Sequence, residues 1–166
     1  LNELISNLLL SDRLDLPYSK LDIKKISCID LINRSVLTFN DYQKKKIKII
    51  ENEREFFINV DITKMIVVIR NLVQNSFKYA DTERGVSIIL DNDKEGALIK
   101  IRDYGSGISK EESDKIFEPF YRSRGTKKIS GIGLGLSIAK KIIESHHGSI
   151  KLNFDVSSGT EFNLYL

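Results

Sequence analysis

The amino-acid sequence predicts an α+β fold, a two-layer sandwich in which a mostly antiparallel sheet has one face covered by three helices. Three observations support this prediction. Apolar residues recur at helical spacing in several long segments, short strand-like segments lie between them, and polar turns join several of these strands. Hairpin-linked strands mixed with helices favour this sandwich over a doubly wound parallel sheet.

Composition is that of one ordinary globular domain with a short appendage. Of 166 residues, 41% are hydrophobic and 30% are charged, and no apolar run approaches the length of a membrane span. The lone Cys28 excludes an internal disulfide and indicates a reducing, cytoplasmic compartment. His146 and His147 are too few for a usual zinc site. Because the chain starts at Leu1 rather than Met, we expect it to be a piece of a larger protein.

The first elements in chain order are two helices with a strand between them. Residues 1–13 are predicted to be the last turns of an amphipathic helix, which Pro17 stops. A strand is predicted at 22–26 and a second helix at 28–42. The basic run 44–46 falls near the end of this helix, where it complements the helix dipole. A nucleic-acid surface is the alternative, but no second basic stripe or interleaved aromatic residue accompanies the run.

The remaining elements follow the same two periodicities. A strongly apolar third helix and a fourth helix that ends at Gly148 are the most distinct. In chain order the predictions are strands at 47–51 and 55–60 with a polar turn between them, a helix at 62–79, strands at 85–91 and 97–103, a helix at 134–146, and a hairpin of strands at 149–155 and 160–165.

Two asparagines and a lysine share one face of the third predicted helix. Asn71, Asn75 and Lys78 are spaced i, i+4, i+7. An amide oxygen can ligate a hard cation such as Mg²⁺ without adding charge, and a neighbouring ammonium can hold phosphate oxygens. The pattern therefore suggests a metal and phosphate site. A polar helix face with two incidental asparagines is the alternative.

Two glycine-rich segments lie further along the chain. Residues 103–108 read Asp-Tyr-Gly-Ser-Gly-Ile and directly follow a strand. A carboxylate there can accept a hydrogen bond from an exocyclic amine, and alternating glycines let the backbone approach a planar ring. Residues 131–136 read Gly-Ile-Gly-Leu-Gly-Leu and open the fourth helix, where free amides and the helix dipole favour phosphate. A simple turn and a flexible linker are the respective alternatives.

In order and spacing, these three segments resemble the N box and the two glycine boxes of the GHKL ATPases. That superfamily includes type II topoisomerase ATPase domains, a heat-shock chaperone, histidine kinases and mismatch-repair ATPases. Residues 116–122 (Ile-Phe-Glu-Pro-Phe-Tyr-Arg) resemble the F box of histidine kinases, and residues 159–162 (Gly-Thr-Glu-Phe) resemble the segment that closes the adenine pocket. The resemblance covers residues 20–166 and implies the Bergerat-type ATP-binding fold.

The resemblance implies a role for each matching residue. Asn75 is expected to ligate Mg²⁺, with Asn71 and Lys78 nearby at the phosphates. Tyr79 is expected to stack on the adenine, and Asp103 to accept a hydrogen bond from its amino group. The implied catalytic residues are Asn71, Asn75 and Lys78. The implied ATP-binding residues are Asn71, Asn75, Lys78, Tyr79, Asp103, Gly105, Gly107, Ile108, Phe120, Arg122, Gly131, Gly133, Leu134, Gly135, Leu136 and Thr160.

Two features point to the histidine kinase branch. Hydrolytic members carry a glutamate one helical turn before the metal asparagine, where this chain has Asn71, a poor general base. The F box is the second feature, and its Arg122 is expected to reach the phosphates from a lid that extends to about Ser130. The implied activity is transfer of the γ-phosphate of ATP to a histidine, with ATP and Mg²⁺ as cofactors.

The phospho-accepting histidine is expected to precede Leu1. His146 and His147 are followed by Gly148 and Ser149, whereas family acceptors precede an acidic residue and then a proline. We expect the two histidines to lie at the end of the fourth helix instead, where they favour the helix dipole.

The resemblance also implies an organisation and a set of partners. Residues 1–19 resemble the end of a dimerisation hairpin with its linker, and residues 20–166 the catalytic domain. The expected partners are that hairpin, a second copy in the full-length protein, and a cognate response regulator, but not nucleic acid. The expected location is the cytoplasmic side of a parent in the bacterial cell membrane, with no membrane-inserted part in these residues. A stand-alone ATPase, a protein-interaction module and an anti-sigma type of serine kinase are the alternatives.

Overall fold

The computed structural model describes residues 20–52, 55–80, 83–93, 96–123 and 131–166. The helix predicted at 1–13, the boundary after residue 19 and most of the expected lid lie outside these ranges. No helix in the described ranges has the length and apolarity needed to span a membrane. The strands are β1 (Ile23–Ser27), β2 (Ile47–Glu51), β3 (Phe57–Asp61), β4 (Val86–Asp93), β5 (Gly96–Arg102), β6 (Ser149–Leu152) and β7 (Glu161–Tyr165), and the helices are α1 (Cys28–Val36), α2 (Asp41–Lys45), α3 (Ile62–Tyr79) and α4 (Gly135–Ser145).

The main sheet has five strands in the order β2-β4-β5-β7-β6. The β2–β4 pair is parallel and the other pairs are antiparallel. Strands β1 and β3 form a separate antiparallel pair. Helix α3 packs between α1 and α4 and contacts the central strands β4 and β5. This arrangement confirms the predicted fold class.

The core lies between the sheet and the three helices. Ile99 and Ile101 of β5 pair with Leu164 and Phe162 of β7, and all four side chains are buried. Helix α3 contributes a fully buried apolar stripe, as its sequence pattern predicted, from Met65, Ile69, Leu72 and Val73. Because this stripe fixes the rotation of the helix, Asn71, Asn75 and Lys78 lie outside its buried face.

The helix predicted at 28–42 is instead two helices. Helix α1 ends at Val36, and Asn40 begins the five-residue α2 with a capping box. The Asn40 side chain accepts a hydrogen bond from the Gln43 amide at 2.9 Å, while the Gln43 side chain accepts one from the Asn40 amide at 3.4 Å. Phe39 is still buried, so the apolar period continues across a break that the capping residues create. The basic run begins at the end of α2, as expected of a helix terminus.

Strands β2 and β3 both occur, but they do not form a hairpin with one another. Strand β3 pairs with β1, whereas β2 pairs in parallel with β4. The polar turn between them therefore connects two sheets. A local turn signal does not reveal which distant strand will be the partner.

Cys28 is a core residue at the start of α1. It is 1% exposed, and burial, with a smaller contribution from the charge of Glu51, raises the pKa of its thiol to about 12. The thiolate form is therefore strongly disfavoured in the folded domain.

His146, directly after α4, joins the ends of two helices. Its Nδ1 lies 2.7 Å from the Ile142 carbonyl oxygen, and its Nε2 accepts a hydrogen bond from the Asp61 amide at 3.0 Å. These partners assign the proton to Nδ1, since an accepting ring nitrogen is unprotonated. Asp61 in turn caps α3 by accepting a hydrogen bond from the Lys64 amide at 3.1 Å. The end of α4 is thus fastened to the beginning of α3.

We expect His146→Ala to destabilise the domain, because it leaves the buried Asp61 amide without its acceptor. The loss should be about 1–3 kcal/mol of unfolding free energy. Thermal unfolding should detect a fall of roughly 2–4 °C for each kcal/mol. The matched control is His147→Asn at the exposed neighbour, whose φ of 61° suits asparagine. Equal melting temperatures for the two variants would show that the His146 link contributes nothing.

Candidate functional site

A cavity of about 930 Å³ lies between the outer face of α3, the first turn of α4 and the segment after β5. Its size is in the range of small-molecule sites. It brings most of the predicted site residues together, although they are far apart in the chain. The predicted residues that line it are Asn71, Asn75, Lys78, Tyr79, Asp103, Gly107, Ile108, Arg122, Gly131, Gly133, Leu134, Gly135, Leu136 and Thr160. Gly105 and Phe120 lie outside this lining.

The wall formed by α3 carries neutral amides and one ammonium. Asn71 and Asn75 are half-buried, and Lys78 is exposed near the helix end. The Asn71 amide nitrogen donates a hydrogen bond to the Gly135 carbonyl oxygen at 3.1 Å. This bond ties the middle of α3 to the first turn of α4, so the two walls of the cavity are fixed relative to each other.

Asp103 is the buried carboxylate of the site. It directly follows β5 and is 5% exposed. Its Oδ1 accepts hydrogen bonds from the Gly105 amide at 3.1 Å and the Thr160 amide at 2.9 Å. Burial raises the pKa of Asp103, and hydrogen bonds from the Gly105 and Thr160 amides and from the Ser76 and Thr160 side chains partly offset the rise. The carboxylate is therefore fixed in place, with acceptor capacity beyond the two bonds to Oδ1.

Gly105 supports the site from behind instead of lining it. A Cβ at this position would lie 2.8 Å from both the Ala80 Cα and the Tyr79 carbonyl oxygen. Only a residue without a side chain allows the loop after Asp103 to pack this closely on the end of α3. The glycine thus sets the distance between the carboxylate wall and the helix wall.

The first turn of α4 presents backbone amides to the cavity. Leu134 precedes the helix and provides no side-chain hydrogen bond to cap it. Its own side chain is 4% exposed, as expected for a residue that anchors the loop in the core. The N–H groups of the first turn have no partner within the helix, so they and the helix dipole favour an anion in the cavity.

The segment before the expected lid packs on the second glycine-rich loop. Phe120 is 61% exposed and has a φ of 66°, which is unusual for a bulky residue. Its amide donates a hydrogen bond to the Gly133 carbonyl oxygen at 2.9 Å. Gly133 has a φ of 82°, and a Cβ there would lie 2.7 Å from the Tyr121 carbonyl oxygen. Phe120 does not line the cavity, whereas Arg122, two residues later, does.

Several lining residues were missed by the sequence analysis. Gln74 lies one turn after Asn71 on the same face of α3, so helical spacing could have identified it. Five further lining residues lie inside the quoted motifs but were given no role: Ser106, Ile116, Tyr121, Ile132 and Phe162. The last four lie outside every motif, on short 3₁₀ turns or directly after Arg122: Glu111, Glu112, Lys115 and Ser123.

The donor set suits a hard cation held mainly by a ligand's oxygens. In the described ranges, no group of three or more His, Cys, Asp or Glu side chains is arranged to hold a metal. Magnesium usually retains waters and takes few protein ligands together with phosphate oxygens. The amide oxygens of Asn71 and Asn75 beside a phosphate-favouring helix terminus fit that requirement.

Comparison with known proteins gives one family and consistent structural neighbours. Residues 60–166 match the family described as histidine kinase-, DNA gyrase B- and HSP90-like ATPase. The chain is 28% identical, over 98% of its length, to the sensor histidine kinase WalK of Bacillus subtilis, and 35% identical, over 70% of its length, to the sensor protein kinase PmrB of Pseudomonas aeruginosa. It spans 28% and 24% of those relatives. The histidine kinase ThkA, solved in complex with the response regulator protein TrrA, is 27% identical with a TM-score of 0.74, over 98% of this chain and 47% of that one.

We expect Asp103→Asn to stabilise the empty domain at neutral pH. The folded-state pKa of Asp103 lies above its unfolded value, so its contribution to stability is present at low pH and is lost as the pH rises through the folded pKa. Asparagine keeps an acceptor oxygen for the two amides but carries no charge. Thermal unfolding should show a higher melting temperature at neutral pH and a shrinking difference in acid. The exposed Asp114→Asn is the control, and a less stable Asp103→Asn domain at neutral pH would contradict this account.

Proposed function

We propose that this chain is the ATP-binding catalytic domain of a sensor histidine kinase. The chain belongs to the family of histidine kinase-, DNA gyrase B- and HSP90-like ATPases, because residues 60–166 match that family. In the proposed reaction, the γ-phosphoryl group of Mg-ATP passes to a histidine imidazole on a dimerisation hairpin outside the described residues. The main support is the single cavity that combines a buried carboxylate, neutral amide oxygens, an ammonium and the amides of a helix terminus.

The adenine end of the proposed site is the pocket around Asp103. Its carboxylate, fixed by the Gly105 and Thr160 amides, is suited to accept a hydrogen bond from the adenine amino group. Tyr79 lines the same cavity at the end of α3, where it can stack on the base. Burial of Asp103 strengthens discrimination, since a base without an amino donor would leave the acceptor position that faces the ligand unfilled.

The phosphate end is the region between Lys78, Arg122 and the first turn of α4. Ammonium, guanidinium and backbone amides all donate to phosphate oxygens, and they converge on one cavity. Asn75, with Asn71 beside it, is the proposed protein ligand for Mg²⁺. Bound Mg²⁺ would supply positive charge that offsets part of the negative charge of the phosphates.

The chemistry that these residues provide is positioning. In the transfer, the bond between the γ-phosphorus and the bridging oxygen breaks as a bond to an imidazole nitrogen forms, ADP leaves, and the imidazole loses its N–H proton to solvent. Asn71 is poorly suited to activate water, since its amide is not a base and the amide nitrogen already donates a hydrogen bond to the Gly135 carbonyl oxygen. We therefore propose transfer to a histidine with slow hydrolysis.

The parent protein is proposed to act as a homodimer in a two-component pathway, with a cognate response regulator receiving the phosphoryl group on an aspartate. Two findings support the response regulator as a partner: the relatives are named as sensor kinases, and the similar kinase ThkA was solved with a response regulator. We further propose that the parent is anchored in the bacterial cell membrane with this domain on the cytoplasmic side.

We expect Mg-ATP to stabilise the domain through Asn75. A ligand that binds only the native state adds about 2.7 kcal/mol at 100 times its dissociation constant. The melting temperature should then rise by roughly 5–10 °C, and by less with ATP and a chelator. Asn75→Ala should melt normally when empty and lose most of the magnesium-dependent increment. Asn33→Ala, an exposed asparagine on α1, is the matched control. A full magnesium effect in Asn75→Ala would place the metal elsewhere.

We also expect the chain alone to acquire no acid-labile phosphate from labelled Mg-ATP. Label should appear, slowly, on the parent's dimerisation hairpin when it is added as a separate protein, because the tether that raises effective concentration is missing. Replacing the hairpin's histidine should abolish the signal. Stoichiometric label on His146 or His147, or hydrolysis that outpaces transfer, would contradict the proposed function.

A further inference from the structure

Glu111 and Glu112 both line the cavity, and Glu112 is hydrogen-bonded to Tyr121, the residue directly before Arg122. Glu112 ends the 3₁₀ turn Lys110–Glu112. Its Oε1 accepts a hydrogen bond from the Tyr121 hydroxyl at 2.9 Å, and its Oε2 accepts one from the Ser109 hydroxyl at 3.4 Å. Hydrogen bonds from the Ser123 and Tyr121 side chains lower the pKa of Glu112. The carboxylate thus accepts hydrogen bonds from Tyr121 and Ser123, the residues directly before and after Arg122.

The same short segment is held on its other side by the second glycine-rich loop. The Phe120 amide donates a hydrogen bond to the Gly133 carbonyl oxygen, and the Tyr121 carbonyl occupies the space that a side chain at position 133 would need. The backbone just before Arg122 is therefore packed against Gly133, while the Tyr121 side chain is fastened to Glu112. The segment that carries Arg122 is therefore held at two points, by Gly133 and by Glu112.

We propose that Glu112 is the positioning residue for Arg122, holding its segment so that the guanidinium meets the ATP phosphates without first being ordered. This inference rests on the proposed function of the cavity. When an arginine on a mobile segment binds a ligand, the conformational entropy lost by the segment reduces the affinity. If the segment is already held in place, this entropy cost is smaller. Glu112 acts through Tyr121 and Ser123 and does not itself contact the nucleotide.

The sign of one substitution separates positioning from simple electrostatics. A carboxylate near a triphosphate repels it, so removing the charge alone should tighten ATP binding. Loss of the position of Arg122 should instead weaken ATP binding. Glu112→Ala removes both the charge and the acceptor, whereas Glu112→Gln removes the charge and keeps an acceptor oxygen for Tyr121.

The test is calorimetric binding of Mg-ATP and of adenosine, which lacks phosphates, to the whole chain. Glu112→Ala should weaken Mg-ATP binding by roughly three- to tenfold and leave adenosine unchanged, and Glu112→Gln should restore ATP binding. Tyr121→Phe, which keeps the ring, should reproduce the loss. In an Arg122→Ala background, Glu112→Ala should not weaken ATP binding any further. The exposed Glu118→Ala, on the same segment, is the matched control.

Three results would overturn the inference: Glu112→Ala binding ATP as tightly as the wild type or more tightly, an equal loss for adenosine, or additive effects of Glu112→Ala and Arg122→Ala. If the wild type binds Mg-ATP and any of these occurs, only the role of Glu112 is lost. If the wild type binds neither ATP nor adenosine, the proposed function is refuted, and the role of Glu112 with it.

Discussion

Burial of one face of α3 sets the geometry on which the rest of the site depends. The fully buried stripe that includes Met65 and Ile69 allows the helix only one rotation, and that rotation turns Asn71 and Asn75 toward the cavity. Two long-range bonds then hold α4 against this helix. One joins the Asp61 amide to His146, and the other joins Asn71 to the Gly135 carbonyl. The phosphate-favouring end of α4 is therefore positioned by the same packing that stabilises the core.

The carboxylate of Asp103 shows how the site departs from the most stable arrangement. A carboxyl group is buried there although burial opposes its ionisation and raises its pKa, and amides of two segments converge to hold it. An uncharged residue of the same shape would suit the empty fold better. Such conflicts between local stability and ligand recognition are common at functional sites.

Much of the fold could be predicted because its strongest signals are local. The stripe of α3 and the hairpin of β6 and β7 have clear periods, and both appear where the sequence indicated them. The break between α1 and α2 was missed because Phe39 continues the apolar period across it. The parallel partner of β2 is β4, which lies far along the chain, and a local sequence pattern does not indicate such a distant pairing. The glycine and asparagine motifs identified most of the cavity lining, but Glu112 has neither a motif nor a period, and only tertiary contacts reveal its environment.

The lone thiol at the start of α1 has a practical consequence. With Cys28 under 2% exposed and its thiolate strongly disfavoured, electrophiles and oxidants can react with it only when the domain opens. Since the sequence has a single cysteine, every covalent label on a thiol reports the same opening event. The rate of thiol modification under native conditions therefore measures how often the α1 end of the core unfolds, without any added probe. Any nucleotide that stabilises the fold globally would slow this modification in proportion to its occupancy of the native state.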